Sequence, residues 1–579
     1  MIALSKYANI PLCNLKVDNI AYLIDIEYAR KLIESNIVLW WSPSTNPDYG
    51  GAEKDKMTLS TEESFEFPVV NRPEIYESVC IELEVKNLTI NTILTSTLIN
   101  EAEGVFDDLN EGGDSELKGG TFAENSFSGP ALSALRNMVK SWWDDAIKDD
   151  ANADSMIHGF ISWYRNPSSY LYDSSLHYHV HNLTKKSLAQ VLGEFKGLGS
   201  AIVFADRNKI IIRTSKTQVE NSYAYGQYAI SSIRAKPLFN FLELGVVRYW
   251  DLLVWMDHYN YAGSYCSEIE EKGNEQQELE FVSKWQIKNF LPPALQDEFE
   301  DWVLFILDAF IKHRQADAKS SQSPQATPRR TQITQILKNN RFALNKKNAD
   351  VEEDFSKGVS EYFRSPLLKR VKALISKQNE TILDPVMAED FKFPLLAGSH
   401  LNLTNPTLEL VKCICHILSL SKRRYLEIRM LRKELLNLFD VKEFSDEGQF
   451  KNPSTSLILP QWVCDYCNYT RDIDICRDDE AQIWNCEACD KPFNKLIIEE
   501  KLIFQFTKLM AKFLTQDFKC SKCSRIRESE LSAHCNCSGS WVSTISKKDI
   551  FKRLRVYINV SDAYQFRLLK DVTDELIDS

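Results

Sequence analysis

A chain of 579 residues with 44% hydrophobic and 11% aromatic side chains is too long for one core and divides into roughly three or four domains. Its formal net charge of −12 excludes a protein whose whole surface grips nucleic acid, so any DNA contact has to come from a local basic patch. No apolar run approaches the roughly eighteen residues of a membrane span, and "MIALSKYANIPLCNL" lacks the basic start and long apolar middle of a signal peptide.

The N-terminus begins almost inside a strand-like pattern, as a piece of a longer protein would. Residues 1–100 alternate in short runs such as "NIVLWW" and "SVCIELEV", which predicts strands. Residues 101–130 are acidic and Gly-rich and read as an exposed loop. Helical spacing then places Leu132, Leu135, Val139, Trp142 and Trp143 on one face. A second amphipathic helix, "TKKSLAQVLGEFKGL", turns Leu188, Val191, Leu192 and Phe195 inward and ends at glycines. It leads into "IVFADRNKIII", two apolar runs around Asp206, Arg207 and Asn208, which predicts a β-hairpin with a polar tip. A helix packed on an antiparallel sheet is the implied layer.

After residue 240 the pattern reads as mostly helical. Residues 314–334 are Ser/Gln/Pro-rich without an apolar anchor and read as a disordered linker, with Ser323-Pro324 and Thr327-Pro328 as candidate phosphorylation sites. Residues 335–455 read as helical and include the basic stretch "SKRRYLEIRMLRKELL". That stretch holds Lys422, Arg423 and Arg424 but also Glu427 and Glu434, so a solvated helix face competes with a DNA contact.

Nine of the fourteen cysteines lie between Cys464 and Cys537. Such clustering without a secretory signal points to metal rather than disulfides. Cys464, Cys467, Cys486 and Cys489 form paired CxxC knuckles that can close four thiolates around zinc. Cys520, Cys523, Cys535 and Cys537 offer four more, ending in a tighter CxC. Two Zn²⁺ ions are implied, with an iron–sulfur cluster as the rival at the second site. Four thiolates leave no open position for water, so the job of these sites is to build shape. Cys476 is a spectator in this reading, and Cys413 and Cys415 beside His416 belong to core packing. Between the clusters, residues 494–516 are too apolar for a solvated helix. Burial on more than one side is expected, against the chain itself or a partner, with Leu502, Phe506, Met510 and Phe513 as candidate partner-binding residues.

Two separated four-cysteine clusters joined by a long apolar helix, with "LPQWVCDYCNYTRDIDIC", "WNCEACDKPF" and "SGSWV" around them, resemble the tail of B-family replicative DNA polymerases of the epsilon class. The resemblance covers the full chain and matches the second, inactivated half of their catalytic subunits. It implies an α+β fold in which residues 1–313 form a degenerate polymerase-like palm and fingers module with a mixed sheet. Residues 335–455 would be thumb-like, and residues 456–579 a mainly helical C-terminal domain carrying two zinc modules. Active members hold metal with an aspartate of a D-F-x-S-L-Y-P-S/N-I strand and with Y-G-D-T-D-S at a hairpin tip. The counterparts here are "EVKNLTINTI", with Glu84 at the aspartate position, and "FADRNK", with Asp206 retained and Asn208 replacing the second acid. No good match to the nucleotide-binding K-x-x-x-N-S-x-Y-G lies between 95 and 200, and "NSYAYG" at Asn221–Gly226 is a decoy.

Two-metal phosphoryl transfer needs clustered anionic oxygens that hold two ions about 3.5–4 Å apart; Asn208 removes one charge and Arg207 and Lys209 add cations, so no catalytic residue is expected. The resemblance further implies a nuclear, non-catalytic scaffold in DNA replication. Its zinc-bearing tail would bind the polymerase's B subunit, and its body the replicative helicase, with small histone-fold subunits indirectly attached and DNA contacted weakly at most. The alternative is a zinc-ribbon nucleic-acid-binding module contacting template DNA.

Overall fold

The computed structural model describes residues 2–14, 20–39, 67, 69–101, 129–166, 169–266, 280–321, 359–381, 389–401, 403–464, 466, 470–487, 489–514, 516, 518–527, 534–543 and 545–578. At its centre is an eight-stranded sheet of β1 (Val70–Asn71), β2 (Glu74–Tyr76), β3 (Cys80–Lys86), β4 (Ala201–Ala205), β5 (Lys209–Arg213), β6 (Glu243–Asp257), β7 (Asn260–Cys266) and β8 (Glu280–Trp285). The order is β1-β4-β5-β3-β6-β7-β8, and β2 pairs with β6 beyond the end of β3. Every pairing is antiparallel, so the expected mixed sheet is corrected.

Period-two alternation along β3 sorts its side chains between two cores. Ile81, Leu83 and Val85 meet Ile202, Ile210 and Ile212 under Leu188, Val191 and Phe195 of the helix Ser174–Gly197. Cys80 faces the opposite way, into a second core with Val203, Phe204, Ile211, Trp250 and Trp255. Glu82 is buried and neutralised by Lys209 at 2.7 Å and Arg248 at 3.3 Å, while the Trp250 indole donates to it at 2.8 Å. A buried carboxylate is tolerated because two cations and a hydrogen bond replace its water.

A helical layer is drawn from before the sheet and from the insertion between β3 and β4. The helices Ile20–Glu34, Gly129–Ala146 and Ala151–Arg165 share one core, reached by Ile90 and Ile93 of the helix Leu88–Leu94. Buried Asp25 ties them, accepting from the Trp163 indole at 2.7 Å and from the Tyr170 and Leu171 amides at 3.0 Å each. At the other end, Leu252, Val254, Met256 and Ala262 pack under the helices Pro293–Ser321, Val359–Thr381, Pro406–Ser419 and Tyr425–Asn437. Cys413 and Cys415 are buried in that core, as expected.

Three further expectations need correction. The first described residues are helical (Ile2–Tyr7 and Ile20–Glu34), not strands, and among the described residues of the first hundred the strands are confined to Val70–Lys86. Trp40 and Trp41 of "NIVLWW", and residues 102–128, lie outside the described residues. The stretch after 240 forms three consecutive strands, β6 to β8, including the 15-residue β6, before the long helices begin. Residues 314–321 of the expected linker continue the helix from Pro293, and Arg314 is anchored by the Asp251 carboxylate and its carbonyl. The rest of that segment, with Ser323 and Thr327, lies outside the described residues.

Candidate metal centres and the hairpin site

The hairpin forms as predicted, with β4 and β5 paired and Asp206 to Asn208 at the tip. Asp206 folds back on its own turn. Its Oδ1 accepts from the Asn208 amide at 2.8 Å and the Lys209 amide at 2.7 Å. Burial raises the pKa of this carboxyl, and those two amides and the Lys209 charge oppose the rise. β3 brings its end beside the tip: Glu84 is in register with Lys209, and the Val85 amide donates to the Asn208 carbonyl at 2.8 Å. Yet Glu84 is exposed and pairs with Lys86 at 3.0 Å. Among the described residues, no third carboxylate joins Glu84 and Asp206 in a metal-sized cluster.

Arg207 turns inward instead. Its Nη2 donates to Thr89 Oγ1 at 2.8 Å and to the Tyr164 hydroxyl at 3.1 Å. Burial would raise the Tyr164 phenol, but the Arg207 and Arg165 guanidiniums outweigh it and bring its pKa below the usual value. The same cations, added to burial, push neighbouring His177 down to about 2. This pocket repels a metal ion. Asn91, in the same helix as Thr89, holds the loop after the Val219–Arg234 helix through the Leu238 carbonyl and the Phe241 amide. The "NSYAYG" string is part of that helix.

The cysteine modules are built by hydrogen bonds that repeat. In the knuckle Cys486–Cys489, the Asp490 amide donates to the Cys486 carbonyl at 2.9 Å and the Cys486 amide to the Lys491 carbonyl at 3.0 Å. In Cys520–Cys523, Ser524 donates to Cys520 at 3.0 Å and Cys520 to Arg525 at 2.9 Å. The residue after the second cysteine is left-handed in both, at φ 54° for Asp490 and 55° for Ser524. Cys535–Cys537 is the same knuckle one residue shorter: Ser538 donates to Cys535, Cys535 to Gly539, and Ser538 has φ 60°. The tight CxC is therefore a shortened CxxC, not a different device. A small polar residue after each second cysteine was the sequence signal, since Asp and Ser tolerate this backbone better than branched residues.

Cys520, Cys523, Cys535 and Cys537 bring all four sulfurs within 4.8 Å of one another, with separations of 3.3 Å (Cys520–Cys537) and 3.5 Å (Cys523–Cys535). Thiolates about 2.3 Å from one tetrahedral zinc stand about 3.8 Å apart. A cubane would spread its thiolates over separate irons. The Cys523 and Lys522 amides favour the Cys520 thiolate and lower its pKa to about 6. Gly539 is required by close approach, because a Cβ there would lie 2.3 Å from Cys520 Sγ. At the first module, Cys464, Cys486 and Cys489 converge, with 3.7 Å between the sulfurs of Cys464 and Cys489. Cys467 lies outside the described residues. Cys476 stays in the neighbouring core. Strands β9 (Ile458–Val463) and β10 (Thr470–Asp474) carry the first module, and β11 (Phe518–Cys520) and β12 (Trp541–Ser543) the second.

The first module is seated on the body of the chain. Asp478 accepts from the Tyr259 hydroxyl at 3.2 Å, Gln286 donates to the Arg477 carbonyl at 3.0 Å, and Asp472 lies 3.6 Å from Arg165. The intervening helix, Lys495–Leu514, buries Ile498, Leu502 and Phe506 in the chain's own core. Leu502 and Phe506 are 0% exposed, which corrects their assignment to a partner-binding face. Met510 and Phe513 are half-buried, and the outer face carries Phe504, 71% exposed.

An antiparallel α+β body bearing thiolate knuckles of this geometry defines a metal-module protein. Residues 447–512 and 514–571 each match a family model described as a zinc finger domain of DNA polymerase-epsilon, and residues 1–264 match a domain of unknown function, DUF1744. The chain is 52% identical over 579 residues, all of its length, to the DNA polymerase epsilon catalytic subunit of Debaryomyces hansenii. It is 45% identical to that of Saccharomyces cerevisiae over 98% of its length, and 35% identical to that of Schizosaccharomyces pombe over 100%. It spans 26%, 25% and 26% of these relatives. The chain belongs to the family of DNA polymerase epsilon catalytic subunits and corresponds to their C-terminal part.

Proposed function

We propose that this chain is a non-catalytic scaffold within a leading-strand replicative DNA polymerase. Its sheet and hairpin are a palm whose chemistry has been lost, and its tail carries two structural zinc ions. The tail binds the B subunit, and the body docks the polymerase on the replicative helicase in the nucleus, with histone-fold subunits attached indirectly. The observation that carries the loss of chemistry is the hairpin tip. Asp206 is engaged by two backbone amides, Asn208 is uncharged, and Arg207 places a fixed cation against Thr89 and Tyr164. Magnesium needs charge-dense oxygen ligands, and here the strongest local charge is positive.

Zinc at both modules is supported by the sulfur separations: four thiolates converge at the second module and three at the first, where the CxxC spacing supplies Cys467 as the fourth, and four thiolates bind metal without leaving a catalytic position. When bound, zinc supplies cross-linking, roughly 10–16 kcal/mol of folding free energy in isolated modules. The chain's own residues set the shape: three knuckles closed by repeated backbone hydrogen bonds, and Gly539 leaving room for Cys520. The test of the lost chemistry is primer extension by the purified chain in magnesium or manganese. No extension above a no-protein control is expected, and extension abolished by Asp206→Ala would overturn the reading.

A further inference from the structure

The acidic chain contains a strongly basic stretch whose cations, among the described residues, are largely unmatched by carboxylates. Between Lys519 and Arg555 there are nine lysines and arginines against three acidic residues, in a protein of net charge −12. Among the described residues, Lys519, Lys522, Arg525, Lys547, Lys548 and Lys552 are exposed and make no ion pair. The basic stretch around Lys422 behaves differently. Lys422 pairs with Glu74 at 2.9 Å, Arg424 with Glu77 at 3.2 Å and Arg429 with Glu443 at 2.6 Å, so those cations hold the chain to itself.

The unmatched cations belong to one structural unit. Lys519 lies on β11, opposite Val542 of β12, Lys522 lies within the first knuckle of the second module, and Arg525 lies two residues beyond it. Three residues beyond β12, Ser546 caps the helix Lys547–Tyr564 by accepting from the Asp549 amide. The Ile545 amide donates to Gln516 Oε1 at 2.7 Å, which ties the start of this helix to the start of β11. Ile550, Leu554 and Tyr557 turn inward on the helix. Lys548, Phe551 and Lys552 therefore form an outward stripe at i, i+3 and i+4, prolonged by Arg555, which reaches the His400 carbonyl. Two phenylalanines stand among these charges, Phe551 61% exposed and Phe518 43% exposed.

Exposed cations without partners attract phosphates, and exposed aromatics offer faces on which unpaired bases stack. We infer that the second zinc module and the first two turns of the helix Lys547–Tyr564 form a contact surface for the backbone and bases of single-stranded DNA. This goes beyond the scaffold role, since it gives the tail a nucleic-acid partner of its own.

The test is fluorescence anisotropy of the chain with labelled oligothymidylate and with a duplex of equal length, from 0.05 to 0.2 M salt. Combined Lys547→Ala, Lys548→Ala and Lys552→Ala should lower the single-strand salt slope by about two units, at ~0.7 per phosphate contact. At 0.05 M salt the same slope corresponds to weakening on the order of a hundredfold or more. Phe551→Ala should weaken oligothymidylate by about fivefold or more and leave the duplex unchanged. Lys422→Ala should change neither, and unchanged metal content and circular dichroism show that each variant is folded. No binding at 0.05 M salt, or an unchanged slope in the triple variant, would overturn the inference. So would tighter binding of a polyglutamate peptide than of oligothymidylate, which assigns the surface to an acidic protein.

Discussion

Gly539→Ala isolates the geometry of the second metal module with a single methyl group. The new Cβ would stand 2.3 Å from Cys520 Sγ and 3.3 Å from Cys537 Sγ. Ordinary van der Waals contact begins near 3.4 Å, so the Cys520 sulfur has to retreat by about 1.1 Å (3.4 minus 2.3). Metal–thiolate distances tolerate only about 0.2 Å. Gly539 does not have a left-handed φ, so alanine adds no backbone strain and the effect is steric. The variant should bind one metal fewer per chain than the parent, by elemental analysis after gel filtration. The sheet and helices outside the module should persist, because their cores share no residue with it. A Gly539→Ala chain that keeps two metals and resists a chelator as well as the parent would refute the packing argument.

Other outcomes follow from particular contacts. Arg207→Ala removes charged donors to Thr89 and Tyr164; a loss of about 1–3 kcal/mol is expected in denaturant titration without any gain of polymerase activity, and an unchanged midpoint would count against the pinned hairpin. Leu502→Ala or Phe506→Ala should cost about 2–5 kcal/mol, whereas Phe504→Ala should leave stability within about 0.5 kcal/mol; equal effects would contradict the helix orientation. Burial, reinforced by nearby cations, lowers His177 to about 2 and His258 to about 4. The unfolded chain takes up these protons below pH ~6.5 while the folded chain does not, so the two histidines lower stability as pH falls through that window. The slope is up to about 1.4 kcal/mol per pH unit for each, and the His258 contribution levels off near pH 4. His258→Gln should flatten the slope between pH 6 and 4, and an identical slope would dispose of this origin. Replacing Cys413 and Cys415 by alanine should leave metal content at two per chain, since both lie in the helical core; a lost metal would reopen their assignment.

What could be read from the sequence depended on whether local pattern and environment agreed. The hairpin carried both strand pattern and turn residues, and the knuckles carried fixed cysteine spacing, so they were legible without tertiary information. β6 was not, because "YWDLLVWM" is covered on both faces by separate cores and loses the alternation that marks a strand. In the helix Ile20–Glu34, Leu23, Ile24, Tyr28 and Leu32 do keep helical spacing, but shorter alternating runs downstream masked it. Leu502 and Phe506 show a different limit: apolar content signalled burial without saying which face meets the chain's own core. The inward turn of Arg207 was equally illegible, since its acceptors Thr89 and Tyr164 lie 118 and 43 residues away.

The scaffold account is tested most directly by capture of the B subunit on immobilised chain. Asp206→Ala should capture as much as the parent, because the hairpin has no part in the tail's docking. Cys464→Ser, which breaks the first thiolate set, should abolish capture while the sheet domain stays folded. Undiminished capture by Cys464→Ser, with its metal demonstrably lost, would contradict the account.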